Sequence, residues 1–196
     1  MNEPYTYDEE SYEARAKRER AELRAPIFEE PPEDLNEEWR HGALWLGLEH
    51  GQNFFEAAVQ YKTAGDILTK NTPRQAEGYE ILAPVLFLYR HSIEAAFKGI
   101  IQKYDGNIDL YGLYQHNLAR LLDRVQTIIA AAGYSLPEWA GKIVMEFHRE
   151  DPKATGFRYP QATDYKEIWV DFRRLQFKID KLFSGLHKFY YLPIGT

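Results

Sequence analysis

Apolar positions fall at helical spacing along most of this chain, and no useful run alternates in twos. The final segment, about Tyr165–Tyr190, shows this most clearly. There Ile168, Phe172, Leu175, Ile179, Leu182 and Leu186 recur by four and three, a seam for antiparallel packing or for a dimer. Upstream, Leu121, Leu122, Val125, Ile128, Ile129 and Ala132 keep the same period, opening at His116-Asn117-Leu118 and stopping at Gly133. Pro137 opens a further helix to about His148, with Trp139, Ile143, Val144 and Phe147 inward. A helix from about residue 37 to Asp66 carries Gly42, Gly47 and Gly51 and is open to a break near Gly51-Gln52-Asn53. Another runs from Ala76 to Tyr104, with Pro84 allowing a kink. Thr69–Gln75, Ile108–Gln115 and Glu150–Asp164 read as connections. The pattern predicts an all-α bundle of about five helices over residues 37–196. Residues 1–36 read as an arm: Ser11–Arg24 has helix-forming composition but few apolar residues, and APIFEEPPE breaks any helix.

One stretch stands out. Leu86–Ile101, LFLYRHSIEAAFKGII, has almost no solvated side, yet Phe87, Arg90, His91, Glu94, Lys98 and Ile101 share an arc of roughly 100°. The opposite side holds Leu88, Ser92, Ala95 and Gly99, small or apolar residues suited to close helix approach. Unpaired buried charge is costly, so the stripe must pair with itself or with groups elsewhere. Arg90–Glu94 and Glu94–Lys98 are both i,i+4 pairs. The short connection to the next helix brings His116 towards Lys98, and the loop residue Arg158 within plausible reach of Glu94.

Charge divides the chain. Residues 1–38 hold 13 acidic and 5 basic residues, while residues 39–196 hold 17 acidic and 19 basic. An acidic arm with Tyr5, Tyr7, Tyr12, Ile27 and Phe28 suits either a draped surface segment or a partner-binding tail. A nearly neutral body lacks the global basic field that advertises nucleic acid. The absence of cysteine excludes disulfides and thiolate metal sites. No run reaches a membrane-spanning length and no basic-then-apolar leader opens the chain, so the expectation is a cytoplasmic protein with no membrane partner. Neither a phosphate-binding glycine loop nor a nucleophile elbow is present, and no cofactor is expected.

The stripe admits three readings. In one it is a structural network locking a helix pair. In another, His91, Glu94, Lys98 and His116 do acid–base work while Arg90, Arg158 and Tyr159 hold phosphate. In the third, His91, Glu94 and His116 hold a metal, although such spacing arises readily by chance, so no metal is assigned.

The order Tyr89-Arg90-His91-x-Ile93-Glu94 with Lys98, then His116-Asn117-Leu118 with Leu121, then Phe157-Arg158-Tyr159-Pro160, resembles a poorly characterised bacterial group. Its helical core is similar to the HEPN superfamily (higher eukaryotes and prokaryotes nucleotide-binding) over roughly residues 39–190. The resemblance implies a helical bundle that dimerises or joins a protein complex, with RNA or a nucleotide as candidate ligand. It also implies a role in toxin–antitoxin, CRISPR or anti-phage systems, where many members are metal-independent ribonucleases. Those ribonucleases carry an Arg followed, after four to six residues, by a His, and no Arg in this chain has a His at that spacing. The usual catalytic pair is therefore not transferable. A binding or assembly role comes first and a ribonuclease second, with enzymatic activity left open.

Overall fold

The computed structural model describes residues 11–24, 53–71, 79–106, 109–159 and 167–192. The chain divides into two units, Met1–Trp45 and Leu46–Thr196. In the first, α1 (Tyr12–Glu22) starts where the Ser11 hydroxyl accepts the Ala14 N–H at 3.2 Å. Its composition does form a helix. Lacking an apolar stripe, it is exposed along almost its whole described length and carries an Arg15–Glu19 pair at i,i+4.

The second unit is a helical bundle, and the all-α expectation holds: the described residues contain no strand. Its elements are α2 (Phe54–Asn71), α3 (Tyr79–Asp105), the short α4 (Leu110–Tyr114), α5 (Leu118–Ala131), α6 (Glu138–Glu150) and α7 (Phe172–Tyr190). Among the described residues, no helix is long and apolar enough to cross a membrane.

Local chemistry sets several boundaries that periodicity left loose. The Asn53 side chain accepts the Glu56 N–H at 2.9 Å, so the suspected break is a helix start, while residues 37–52 lie outside the described ones. Residues 110–114, expected as connection, form α4 because Asp109 just before them accepts the Gly112 N–H at 2.7 Å and Leu110 is buried. Asp171 accepts the N–H groups of Arg173 and Arg174, so α7 starts at Phe172 and not near Tyr165. Ile168, placed in the helical seam by spacing, therefore belongs to a non-helical segment. Gly133, at φ +80, ends α5 as expected.

The centre of the core is α3. Tyr89, Ile93, Ala96, Phe97, Ile100 and Ile101 are all buried, and α3 packs on α2, α5 and α7, with α6 behind α5. Burying each large side chain of this kind contributes roughly 1.5–3 kcal/mol. Two glycines let α2 and α3 close up. A Cβ on Gly99 would lie 2.7 Å from the Phe55 backbone nitrogen, and one on Gly65 would lie 2.8 Å from the Tyr89 ring. Polar ties complete the frame: Tyr89 donates to Asp66 at 2.8 Å, and Lys62 bridges Asp66 and Asp180, joining α2, α3 and α7. Lys103 donates to the Tyr190 and Leu192 carbonyls at the end of α7, where Phe55 stacks on Tyr190 at 4.1 Å.

Two glycine-to-alanine changes should move stability in opposite directions. Gly99→Ala forces its new methyl against the α2 backbone and should cost about 1–3 kcal/mol. Gly185 meets nothing within 4 Å on α7, so Gly185→Ala should gain up to about 1 kcal/mol through helix propensity. Urea denaturation of both variants reads the two signs.

Candidate functional site

The stripe on α3 is a network, and its hub is Arg90. The guanidinium donates through Nε to the Asp151 carbonyl at 3.0 Å, through Nη1 to Glu94 Oε2 at 3.1 Å, and through Nη2 to the His116 carbonyl at 2.8 Å. One side chain thus ties α3 to the turn before α5 and to the end of α6. Glu94 is the second node. Its Oε1 accepts from Lys98 Nζ at 2.8 Å and faces His116 Nδ1 at 2.9 Å. Arg90, Glu94 and Asp151 are 1% exposed and Lys98 4%, so two cations and two carboxylates lie out of water as a charge-balanced set.

Burial pushes the Glu94 carboxyl up, but the Lys98 and His116 contacts outweigh it and hold it below the usual carboxylate range. An ionised Glu94 can only accept, so His116 Nδ1 is the donor and Nε2 keeps the lone pair when the ring is neutral. The His116 side chain is 48% exposed, with its carbonyl held by Arg90 and its ring by Glu94. It is the member of the set through which the network reaches the surface.

Asp151 was not among the residues that sequence reasoning selected. It follows α6 directly and precedes Pro152, which signals a helix end but no charge partner. Its Oδ1 accepts the N–H groups of Thr155 and Gly156 at 2.8 and 2.9 Å, folding the following loop, and its Oδ2 lies 3.5 Å from Arg90 Nε. Ala154 takes φ 58 within that loop, and Phe157 is buried. Arg158 does not come down onto Glu94. Its Nε donates to the Ala154 carbonyl at 2.6 Å and its guanidinium lies 5.5 Å from the Phe87 ring centre. Tyr159 is exposed on the same loop.

His91 stands off the network although it shares the arc. It stacks on Phe87 at 5.6 Å and meets the Tyr61 ring edge-on at 4.4 Å. Burial holds its imidazole below the ordinary value, with Lys98, Arg158 and His116 adding to the effect and Glu94 opposing it. Among the described residues no three His, Asp or Glu side chains form a group fit for a metal ion, so His91, Glu94 and His116 do not assemble into that centre. Comparison with protein-family models, curated proteins and solved structures yields no match.

Removing one partner from this buried set should be costly. Glu94→Ala removes the carboxylate that Arg90 and Lys98 share and should lose about 3–5 kcal/mol. His116→Ala, at a half-exposed ring, should lose less than about 1 kcal/mol. Chemical denaturation distinguishes them. The pH dependence has a definite sign. His91 is depressed in the folded state, so below about pH 6.5 the unfolded chain takes up a proton that the native state resists, and stability falls with pH. His91→Phe should flatten that slope, to which His148, depressed likewise by burial and Arg90, adds with the same sign. Glu94 acts at lower pH: its contribution is present above the unfolded pKa of about 4.3 and is lost as pH falls through its depressed folded value. Melting temperatures of wild type and His91→Phe across the acid range test the assignment.

Proposed function

We propose that this chain is a HEPN-like helical binding and assembly component, working in the cytoplasm as a homodimer or within a larger complex. Its setting is a bacterial anti-phage defence or toxin–antitoxin system, and RNA is its ligand class. What supports this is that the first two motif segments meet in one buried, charge-balanced cluster, with the loop that carries the third folded beside it. Arg90 of the first grips His116 of the second, and Asp151, which folds the loop of the third, closes the set. Charges spent on one another hold positions; they are poorly placed to stabilise charge developing on a substrate.

The solvent side of α7 supports the RNA assignment. At helical spacing Arg173, Arg174, Lys178, Lys181 and Lys188 share an arc of roughly 140° that contains no acid. Phe177 lies in that arc, 62% exposed, with Lys181 Nζ 5.5 Å from its ring centre. Cations beside an exposed aromatic suit phosphates and unstacked bases.

A ribonuclease is the second reading, and a specific contact favours it. A buried carboxylate 2.9 Å from His116 Nδ1 fixes the orientation of the ring, the arrangement of a general base or acid. The missing Arg-to-His spacing counts against it, and His91 in its aromatic seat takes no part.

Labelled single-stranded RNA separates the readings. Fluorescence anisotropy should show salt-dependent binding that weakens in Arg173→Ser/Lys181→Ser/Lys188→Ser, with the salt slope lowered by about one for each phosphate no longer neutralised. Binding unchanged by those substitutions would sink the α7 assignment. Incubation with chelator should leave the RNA intact; cleavage by wild type that disappears in His116→Ala would instead establish the enzyme.

A further inference from the structure

The four described histidines differ in what their ring nitrogens meet. His91 lies between Phe87 and Tyr61, His148 keeps its Nδ1 buried without a hydrogen-bond partner, and His187 meets the rings of Phe55 and Tyr191. His116 alone among them is hydrogen bonded to a carboxylate, Glu94 Oε1 at 2.9 Å. That carboxylate is held in turn by Arg90 and Lys98, so the ring cannot turn without breaking a buried contact. The Nδ1–H is thereby committed, and Nε2 lies across the ring from it, on a side chain 48% exposed. Among the described residues nothing hydrogen-bonds to Nε2. A fixed neutral imidazole with an unengaged ring nitrogen is a nucleophile as well as a base.

An exposed cation stands near it. Arg158 is fixed by its Nε bond to the Ala154 carbonyl and by the Phe87 ring, and it has no carboxylate partner among the described residues. Arg158 and His116 both act on the charge of the His91 imidazole, which places both near that ring. Arg90, Lys98, Glu94 and Asp151 already balance one another, so Arg158 is the cation left to answer charge arriving at His116. A nucleophile beside such a guanidinium favours an electrophile that brings negative charge with it. A phosphoryl group does so, and its oxygens match the planar fork of arginine. An acyl or alkyl group brings no charge and would leave Arg158 without a role.

We propose that His116 is a phosphoryl-acceptor residue: its Nε2 takes a phosphoryl group from a donor with a P–N bond, and Arg158 binds the oxygens that arrive. The Nε2 lone pair forms the new N–P bond as the P–N bond of the donor breaks, and the donor nitrogen leaves with that electron pair as a neutral amine or imidazole. The His116 ring becomes cationic, keeps its Nδ1 proton and faces the Glu94 carboxylate, which balances it. One P–N bond replaces another, so no oxidant, reductant or further co-reactant enters. RNA binding at the α7 arc takes no part, so the loss of either assignment leaves the other standing.

The full chain incubated with phosphoramidate near neutral pH tests it. Phosphohistidines survive in alkali, where mass spectrometry maps them, and phosphorus NMR tells Nε2 from Nδ1. His116 should label on Nε2, at least about tenfold faster than His187, which is exposed too but has no carboxylate at its ring. In denaturing urea that preference should vanish, since it comes from the folded Glu94 contact. Arg158→Gln should slow labelling of His116 by about tenfold, and Arg158→Lys should recover part of the rate by keeping the charge. Melting curves establish that both variants stay folded. His116→Gln should lose the label at that position and leave His187 as it was. A phosphohistidine-bearing peptide offered in place of phosphoramidate distinguishes a protein donor from a small one by which delivers the group faster to Nε2. Labelling of His116 no faster than that of His187 in the folded chain, a phosphoryl group on Nδ1, or an Arg158→Gln rate equal to wild type overturns the assignment.

Discussion

A buried arginine must find an acceptor for each of its donors, and much of this bundle is arranged around that requirement. Arg90 is 1% exposed and spends Nε, Nη1 and Nη2 on three different segments. Two of its acceptors are backbone carbonyls, so the guanidinium fixes where the chain runs and does more than balance charge. Glu94 sits one turn on and takes Lys98 and His116 on its other oxygen. Taking four charges out of water has a large desolvation cost, offset only when geometry and hydrogen bonds are nearly complete. Such a set tolerates few alternative arrangements. That intolerance is its use: it defines the relation of α3 to α5 and to the end of α6.

The same set explains why His116 differs from the histidines nearest to it. His91 lies between two rings, and the Nδ1 of His148 is buried without a hydrogen-bond partner. His116, by contrast, is held at both its carbonyl and its ring while staying half exposed. It is the member of the buried set that a solute can reach.

How much of this was legible in the sequence depended on the range of the interactions. Helical period is a local property, so α5, α6 and most of α7 follow from spacing alone, and Gly133 stops α5 because its positive φ is written in one residue. The charged stripe was visible for the same reason, since Arg90, Glu94 and Lys98 are one turn apart. The small-residue side was legible too: Gly99 does meet the α2 backbone. Helix starts were less so, because the cap at Asn53 or Asp171 is a single side-chain contact that no period announces.

The sequence by itself determined the longer helices of the bundle and most of their apolar faces, although Trp139, placed inward by its period, is 45% exposed, and it set four ionisable groups where water would not reach all of them. The tertiary structure decided which of those groups belonged together. His91 and Arg90 are adjacent in sequence, yet one turned to aromatic rings and the other to carboxylate and carbonyls. Asp151 entered the network from sixty-one positions away, through a backbone oxygen that every residue possesses and no pattern singles out. Arg158 settled over Phe87 and not on Glu94, whose two oxygens meet Arg90, Lys98 and His116. Hydrogen-bond capacity is finite, and only packing in three dimensions decides which donors reach it first.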